Sequence, residues 1–192
     1  ATNAGFAPVT ATITITPKYL NNTVECLGTP VSFTITVNPT PIVNDPANQT
    51  ICSGSLTAAV AFQGYTGTTY NWVNTMPAIG LAASGSGSIA AFTGQNTGTS
   101  PLVGTITVTP QFQNGGLSCY GASENFTITV NPSPVVGFSA QNQVVCSGGI
   151  SNTVVITSTT PNANISWNVS NAPAGITGLT STSGTSTIPS YT

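Results

Sequence analysis

The chain has 192 residues, with one lysine or arginine, three acidic residues and no histidine. A single lysine cannot neutralise the row of phosphates that a nucleic-acid-binding protein contacts. Three scattered acidic residues without histidine supply neither an ordinary general acid and base nor a calcium site. The composition therefore argues against an enzyme, a metal centre or any other cofactor. No apolar run approaches the ~20 residues of a membrane-spanning helix.

In chain order, the first predicted strand is TITITP at residues 12–17, and it recurs as TITVTP at residues 105–110. The next is FTITVNPTP at residues 33–41, which recurs as FTITVNPSP at residues 126–134, again 93 residues later. Alternation of Phe, Ile and Val with Thr and Asn is typical of a β-strand with one face on a core. The Pro-x-Pro that follows lacks ladder donors and predicts the end of the strand and a stiff connector.

The repeat divides the chain into three parts. Residues 41–133 form one complete unit, residues 1–40 contain the later strands of such a unit, and residues 134–192 contain the earlier ones. The complete unit is predicted to contain short strands at residues 42–43 with 49–52, 58–62, 69–73, 79–81, 88–93, 103–109 and 125–131. Six or seven short strands with frequent turn residues predict an all-β fold of tandem, immunoglobulin-like antiparallel β-sandwiches.

Several motifs carry a resemblance to a known family. They are Gln-x-x-Cys-Ser-Gly at residues 49–54, a tryptophan on the third strand, Cys-x-Gly at residues 119–121, and the repeated strands above. Together they resemble the PKD-like repeats of large surface and secreted proteins of Bacteroidetes, which include gliding-motility adhesins. The resemblance implies an extracellular or cell-surface location, a role as spacer or stalk, and no catalytic residues.

Four aromatic residues are expected in the cores of these sandwiches, because each alternates with apolar neighbours on a predicted strand: Trp72, Trp167, Phe33 and Phe126. Four others lie in or beside predicted loops and are candidates for exposed contacts: Tyr19, Tyr65, Phe112 and Tyr120.

The four cysteines are expected to form disulfides, since the chain resembles exported proteins. One scheme pairs Cys52 with Cys119 inside the complete unit and Cys146 with Cys26 of a following copy. The other pairs Cys26 with Cys52 and Cys119 with Cys146 between adjacent units. The first scheme is preferred, because the second must span the length of a whole strand within the chain.

These observations predict a structural protein that forms a stalk or filament, and the alternative is an adhesin or glycan-binding segment. Residues 134–192 of one copy are expected to be completed by residues 1–40 of the next, head to tail. The last residues followed by the first also reproduce the sequence pattern of residues 92–98. The two copies would be joined either within one continuous chain or by strand exchange between separate subunits.

Overall fold

The computed structural model describes residues 1–171 and 183–191, and in them the chain is all-β. Residues 172–182 and 192, which belong to the predicted unit 134–192, lie outside the described residues. We call residues 1–40 the first segment, 41–133 the middle segment and 134–192 the last segment. Two residues at matching positions of the repeat are called counterparts. The part of the chain that is described holds no helix long and apolar enough to cross a membrane.

The first segment consists of two antiparallel strand pairs. Its strands are β1 (Val9–Ile15), β2 (Lys18–Asn21), β3 (Val24–Leu27) and β4 (Val31–Val37). β1 pairs with β4 and β2 forms a hairpin with β3. The hairpin turn places Asn22 at a φ of 53°, a left-handed conformation that asparagine tolerates better than most residues.

The middle segment contains one six-stranded sheet. Its strands are β5 (Gln49–Cys52), β6 (Thr68–Asn74), β7 (Ser84–Ser86), β8 (Leu102–Asn114), β9 (Leu117–Tyr120) and β10 (Glu124–Asn131). Their order is β5-β10-β8-β6-β7, and β9 also pairs with β8. All these pairs are antiparallel except β5 with β10, which is parallel. The prediction of purely antiparallel pairing is therefore wrong at this edge.

A second layer covers one face of this sheet. It is made of extended segments joined by two isolated bridges, Leu56 to Thr93 and Val60 to Ile89. The core between the layers consists of buried apolar side chains: Val60, Phe62, Trp72, Ile79, Leu81, Ile89, Ile106, Val108, Phe126, Ile128 and Val130. Partly buried Tyr70 packs against this core, and burial raises the pKa of its phenol. The coarse architecture is thus a sheet packed on a less regular β-layer.

The described residues of the last segment repeat part of that second layer and part of the β6–β7 pair. Its strands are β11 (Val136–Phe138), β12 (Val154–Ser158), β13 (Trp167–Asn168), β14 (Ser183–Gly184) and β15 (Thr187–Ile188). β12 lies between β11 and β15, and β13 pairs with β14. Val154 pairs with Ile188 here, as their counterparts Val60 and Ile89 do in the middle segment.

The strand pairing of the first segment recurs in the middle segment with the same register. Ile13 pairs with Phe33 in β1–β4, and their counterparts Ile106 and Phe126 pair in β8–β10. Tyr19 pairs with Cys26 in the β2–β3 hairpin, as Phe112 pairs with Cys119 in the β8–β9 hairpin. The 93-residue repeat of the sequence is therefore also a 93-residue repeat of the strand pairing.

Several local predictions differ from the structure, and residues 42–43, predicted as part of a broken first strand, form no strand. Residues 79–81 are not a strand, because Pro77 starts a 3-10 helix, Pro77–Ile79, that ends at Gly80 with a φ of 98°. Residues 58–62 and 88–93 contribute bridges rather than full strands. The β8–β9 hairpin was not predicted, although Asn-Gly-Gly at residues 114–116 is a typical turn signal.

Replacing Phe126 by alanine should lower the free energy of unfolding of the middle segment by about 3–5 kcal/mol, because its ring is 1% exposed. The change would be measured by denaturant unfolding in dilute solution, with Trp72 fluorescence as the signal and Trp167→Phe in all variants. The matched control is Phe33→Ala, at the counterpart position, which should change the free energy by less than about 0.5 kcal/mol. A loss below about 1 kcal/mol for Phe126→Ala would contradict the core described above.

Candidate assembly surfaces

The first segment exposes an apolar face that is buried in the middle segment. Phe33 is 50% exposed and Ile35 is 49% exposed, whereas their counterparts Phe126 and Ile128 are 1% and 0% exposed. Phe33 was predicted in a core, and the structure places it at the surface. The reason is that the described residues provide no second layer over β1 and β4, so this face has nothing to pack against.

β4 also has an open edge. Its counterpart β10 is hydrogen-bonded to β8 on one side and to β5 on the other. Within the described ranges, β4 pairs with β1 alone. The free edge of β4 is therefore the position that a strand like β5 would occupy, and its backbone groups are available for pairing.

The last segment contains the counterpart of β5 without a partner strand. Residues 143–146 match Gln49–Cys52 in sequence but form no ladder. Val144 is 97% exposed and Val145 is 51% exposed, whereas Ile51, the counterpart of Val145, is partly buried against the core. These residues are exposed because the described part of the last segment has no counterpart of β10.

Residues 143–146 are nevertheless held in place by the same contact that holds β5. The side chain of Gln143 donates to the carbonyl of Asn152 over 3.0 Å and accepts from its backbone N–H. In the middle segment, Gln49 makes the same two hydrogen bonds to Ala58. Gln143 is therefore held in the same way as Gln49, although residues 143–146 have no partner strand.

A groove of about 490 Å³ borders Gln143, the first residue of this stretch. Its apolar lining includes Val154, Ile188 and Tyr191. Val60 and Ile89, the counterparts of Val154 and Ile188, belong to the closed core of the middle segment, and Phe92, the counterpart of Tyr191, packs against it. The middle segment keeps a smaller pocket of about 260 Å³ at the matching residues Gln49, Ala58 and Val60, so only the Ile188 and Tyr191 side of the groove corresponds to space that the middle segment fills with its core.

The two tryptophans occupy matching positions. Trp72 is 7% exposed, and its Nε1 donates to the carbonyl of Gly87 over 3.2 Å. Trp167 was also predicted in a core but is only half-buried, and its Nε1 donates to the carbonyl of Thr187 over 3.0 Å. Each ring lies so close to a glycine of the paired strand that a Cβ there would clash. Neither ring is presented as a flat exposed platform for a sugar.

The cysteines all lie in the described residues, and none of them forms a disulfide there. Cys52 pairs with Asn131 beside the Leu102 end of β8, whereas Cys119 pairs with Phe112 near the other end of β8. Ten residues of extended strand separate these positions by about 30 Å, and a disulfide needs Cα atoms about 4.4–6.8 Å apart. The predicted Cys52–Cys119 bond is therefore incompatible with this ladder.

The first and middle segments meet at the tip of the β8–β9 hairpin. Asn114 donates from its side chain to the side-chain oxygen of Asn38 over 2.8 Å. The ring of Phe6 lies 4.7 Å from the ring of Tyr65. At the middle-to-last junction, Thr99 and Thr160 line a shared pocket. Thr99 is the counterpart of Phe6, and Thr160 lies, like Tyr65, in the loop before the strand that carries the tryptophan, so both junctions use similar parts of the repeat.

The predicted contact aromatics are not all exposed. Tyr19 is 68% and Tyr120 62% exposed, but Phe112 is 8% exposed because it faces the core side of β8.

Lys18 forms an ion pair with Glu25 over 2.9 Å on the first hairpin. No cluster of three potential metal ligands is found among the described residues. Chemically, the notable features are therefore the apolar face of β1–β4, its open edge and the groove beside residues 143–146.

Comparison with known proteins adds no assignment, since no protein-family model and no curated protein matches the chain.

Hydrogen exchange should distinguish the two matching strands in the unassembled chain. Backbone amides of β4 are expected to exchange at least about 100-fold faster than those of β10, because β4 is covered on neither its apolar face nor its second edge. Mass-spectrometric exchange provides the matched comparison, with peptides that begin at or before Ser32 and Asn125, because residues 33–38 and 126–131 are identical in sequence and only the flanking residues distinguish them by mass. Equal protection of the two peptides at low protein concentration would show that the exposed face is not available.

Proposed function

We propose that the chain is a structural, extracellular repeat protein whose β-sandwich modules join head to tail in a stalk or filament. One observation carries the proposal. The exposed face of β1–β4 and the groove of the last segment correspond to the two parts that the middle segment buries against each other. The occupant of the groove is the first segment of a second copy of this chain.

The middle segment supplies the geometry of this contact. Residues 128–131 lie beside Gln49–Cys52 in a parallel ladder, so residues 35–38 of the second copy would lie beside residues 143–146. This pairing completes the open edge of β4, and it brings Phe33 and Ile35 into the groove. Burial of each such side chain contributes about 1.5–3 kcal/mol, to which the new ladder hydrogen bonds add. The composite module would then be an immunoglobulin-like, PKD-like repeat like the middle segment.

The contact generates a filament because its two surfaces are different. The donor face belongs to the first segment and the groove belongs to the last one, with a whole module between them. Each added copy therefore buries one surface and presents a fresh one, so the contact does not close on itself. The near absence of charge suits such assembly, since little net repulsion opposes contact between copies.

An extracellular location is supported by the resemblance to exported repeats and by the use of hydroxyl and amide groups on outer faces. The side chains of Thr10 and Thr36 are hydrogen-bonded over 2.8 Å across β1–β4. Thr107 donates to Asn125 over 2.6 Å across β8–β10. On these outer faces, hydrogen bonds between uncharged side chains link the paired strands, without charged pairs.

The alternative function is that of an adhesin, and it is favoured by the exposure of Tyr19 and Tyr120 on the two hairpins. A glycan-array or cell-adhesion screen of the assembled protein separates the two proposals. Saturable binding that is lost in a Tyr19→Ala/Tyr120→Ala variant would favour the adhesin, and filaments without binding would favour the stalk.

The donor strand provides the direct test of assembly. Ile35→Asp should abolish filaments in electron micrographs and leave monomers by light scattering, because a carboxylate would have to enter an apolar core at every contact. The matched control is Thr34→Asp, one residue away on the opposite face of β4, which should leave filament formation intact. Loss of assembly in both variants, or in neither, would contradict the proposed contact.

The wild-type chain and the Ile35→Asp variant also allow a mixing experiment. The variant keeps an intact groove in its last segment, so it should add to one end of a wild-type filament and leave the other end free to grow. A filament that shortens as the variant is titrated in would match this polarity.

Denaturing, reducing electrophoresis of the native material determines how the copies are joined. A band near the 19.3 kDa of one chain indicates separate subunits that exchange strands. A much larger species indicates that the copies are successive parts of one polypeptide. The first result also predicts that dilution or mild denaturant releases subunits, since no peptide bond would link them.

A further inference from the structure

The positions of the cysteines at the two ends of each module suggest a role between modules. In the middle segment, Cys52 lies at the end that faces the last segment, next to Asn131. Cys119 lies on the β8–β9 hairpin, whose tip contacts the first segment. The pair is too widely separated to bond within one module, but each thiol lies near a junction.

The junction between the first and middle segments shows which residues would lie near Cys146 of a preceding copy. Asn38 is the counterpart of Asn131, so the residue paired with it in a completed module would be the counterpart of Cys52. In a head-to-tail assembly that residue is Cys146 of the preceding copy. Asn38 is also hydrogen-bonded to Asn114, at the tip of the hairpin that carries Cys119. Cys146 would thus pair directly with Asn38, and Cys119 lies two residues along β9 from Leu117, the residue paired with Asn114.

The same reasoning applies to the other junction. The counterpart of Cys119 is Cys26, on the β2–β3 hairpin of the first segment. When the first segment of a following copy completes the last segment, this hairpin reaches the end of the middle segment where Cys52 and Asn131 lie. Cys52 is exposed in the unassembled chain and is therefore open to contact.

We propose that each head-to-tail contact is closed by two disulfides between copies, Cys52 with Cys26 of the next copy and Cys146 with Cys119 of the next copy. This inference rests on the proposed function, because both bonds need the first segment of a second copy in the groove. It replaces the predicted Cys146–Cys26 bond. It has the residue pairs of the alternative scheme, but forms them between copies, so neither bond spans a strand within one chain.

Each bond forms by thiol–disulfide exchange with an external low-molecular-weight disulfide. A cysteine thiolate attacks one sulfur of that reagent and releases one of its halves as a thiol. The second cysteine then attacks the mixed disulfide and releases the other half. The two cysteines lose two electrons and two protons in total, and the reagent is reduced to two thiols. Each bond would be removable by reduction without breaking the strand contacts.

Pairs of cysteine-to-serine substitutions in the full chain test the assignment. Cys26→Ser/Cys52→Ser keeps Cys119 and Cys146, so filaments oxidised with a glutathione redox buffer should still give a ladder of multimers on a non-reducing denaturing gel. Cys26→Ser/Cys146→Ser keeps Cys52 and Cys119, so the ladder should be lost and both thiols should react with a maleimide after denaturation. An internal Cys52–Cys119 bond in the second variant would overturn the proposal.

Isotope mixing then shows that the bonds join different copies. Filaments assembled from equal amounts of unlabelled and 15N-labelled chain should give linked peptides of Cys52 with Cys26 and of Cys119 with Cys146, about half of them mixed in isotope composition. Linked peptides without mixed species would show bonds within one chain and would overturn the proposal.

Electron microscopy of a variant with all four cysteines changed to serine separates this inference from the proposed function. If the wild type and the variant both form filaments but oxidised wild type shows no ladder, the disulfide inference fails and the head-to-tail function stands. If neither forms filaments, both fail. Filaments from both, with a ladder from wild type alone, support both.

Discussion

The pairing of β8 with β10 is the interaction on which the rest of the structure depends. Phe126, Ile128 and Val130 alternate along β10, and all three are almost fully buried. They are buried because the second layer, with Val60 and Ile89, covers that face, and because β5 closes the outer edge of β10. Each element alone would leave an apolar face in water, so the ladder and its cover are stable only together.

The first and last segments each contain one part of this arrangement. The β1–β4 ladder has the register of β8–β10 but no cover, and the last segment has much of the cover but, in the described residues, no such ladder. The exposure of Phe33 and Val145 is the direct consequence. The proposed complementation between copies would use the same hydrophobic burial that stabilises the middle segment, and it requires no new type of contact. The proposed function is thus an extension of the folding of one module.

On the polar faces of the strands, hydrogen bonds between uncharged side chains take the place of charged pairs. Hydroxyl and amide side chains bond to each other across strands, as in Thr14 with Ser32 and Thr109 with Ser123. Others bond to the backbone, as the buried Asn96 does to the carbonyl of Val130 over 2.7 Å. Such pairs contribute modestly, about 0.2–1 kcal/mol for each cross-strand pair, but they leave the surface close to neutral. Neutral faces permit contact between modules, and specificity then depends on shape and strand register.

The sequence by itself determined the all-β class, the repeat spacing and the strands with strict alternation, because a period of two in a strand is a local property. It also contains the β8–β9 turn signal, Asn-Gly-Gly at residues 114–116. Only the tertiary structure decided that Phe33 is exposed while Phe126 is buried, since two identical strand sequences differ here in what covers them. It alone placed Cys52 and Cys119 at opposite ends of the sheet, because strand order and the parallel β5–β10 pairing are long-range choices that composition and spacing do not contain.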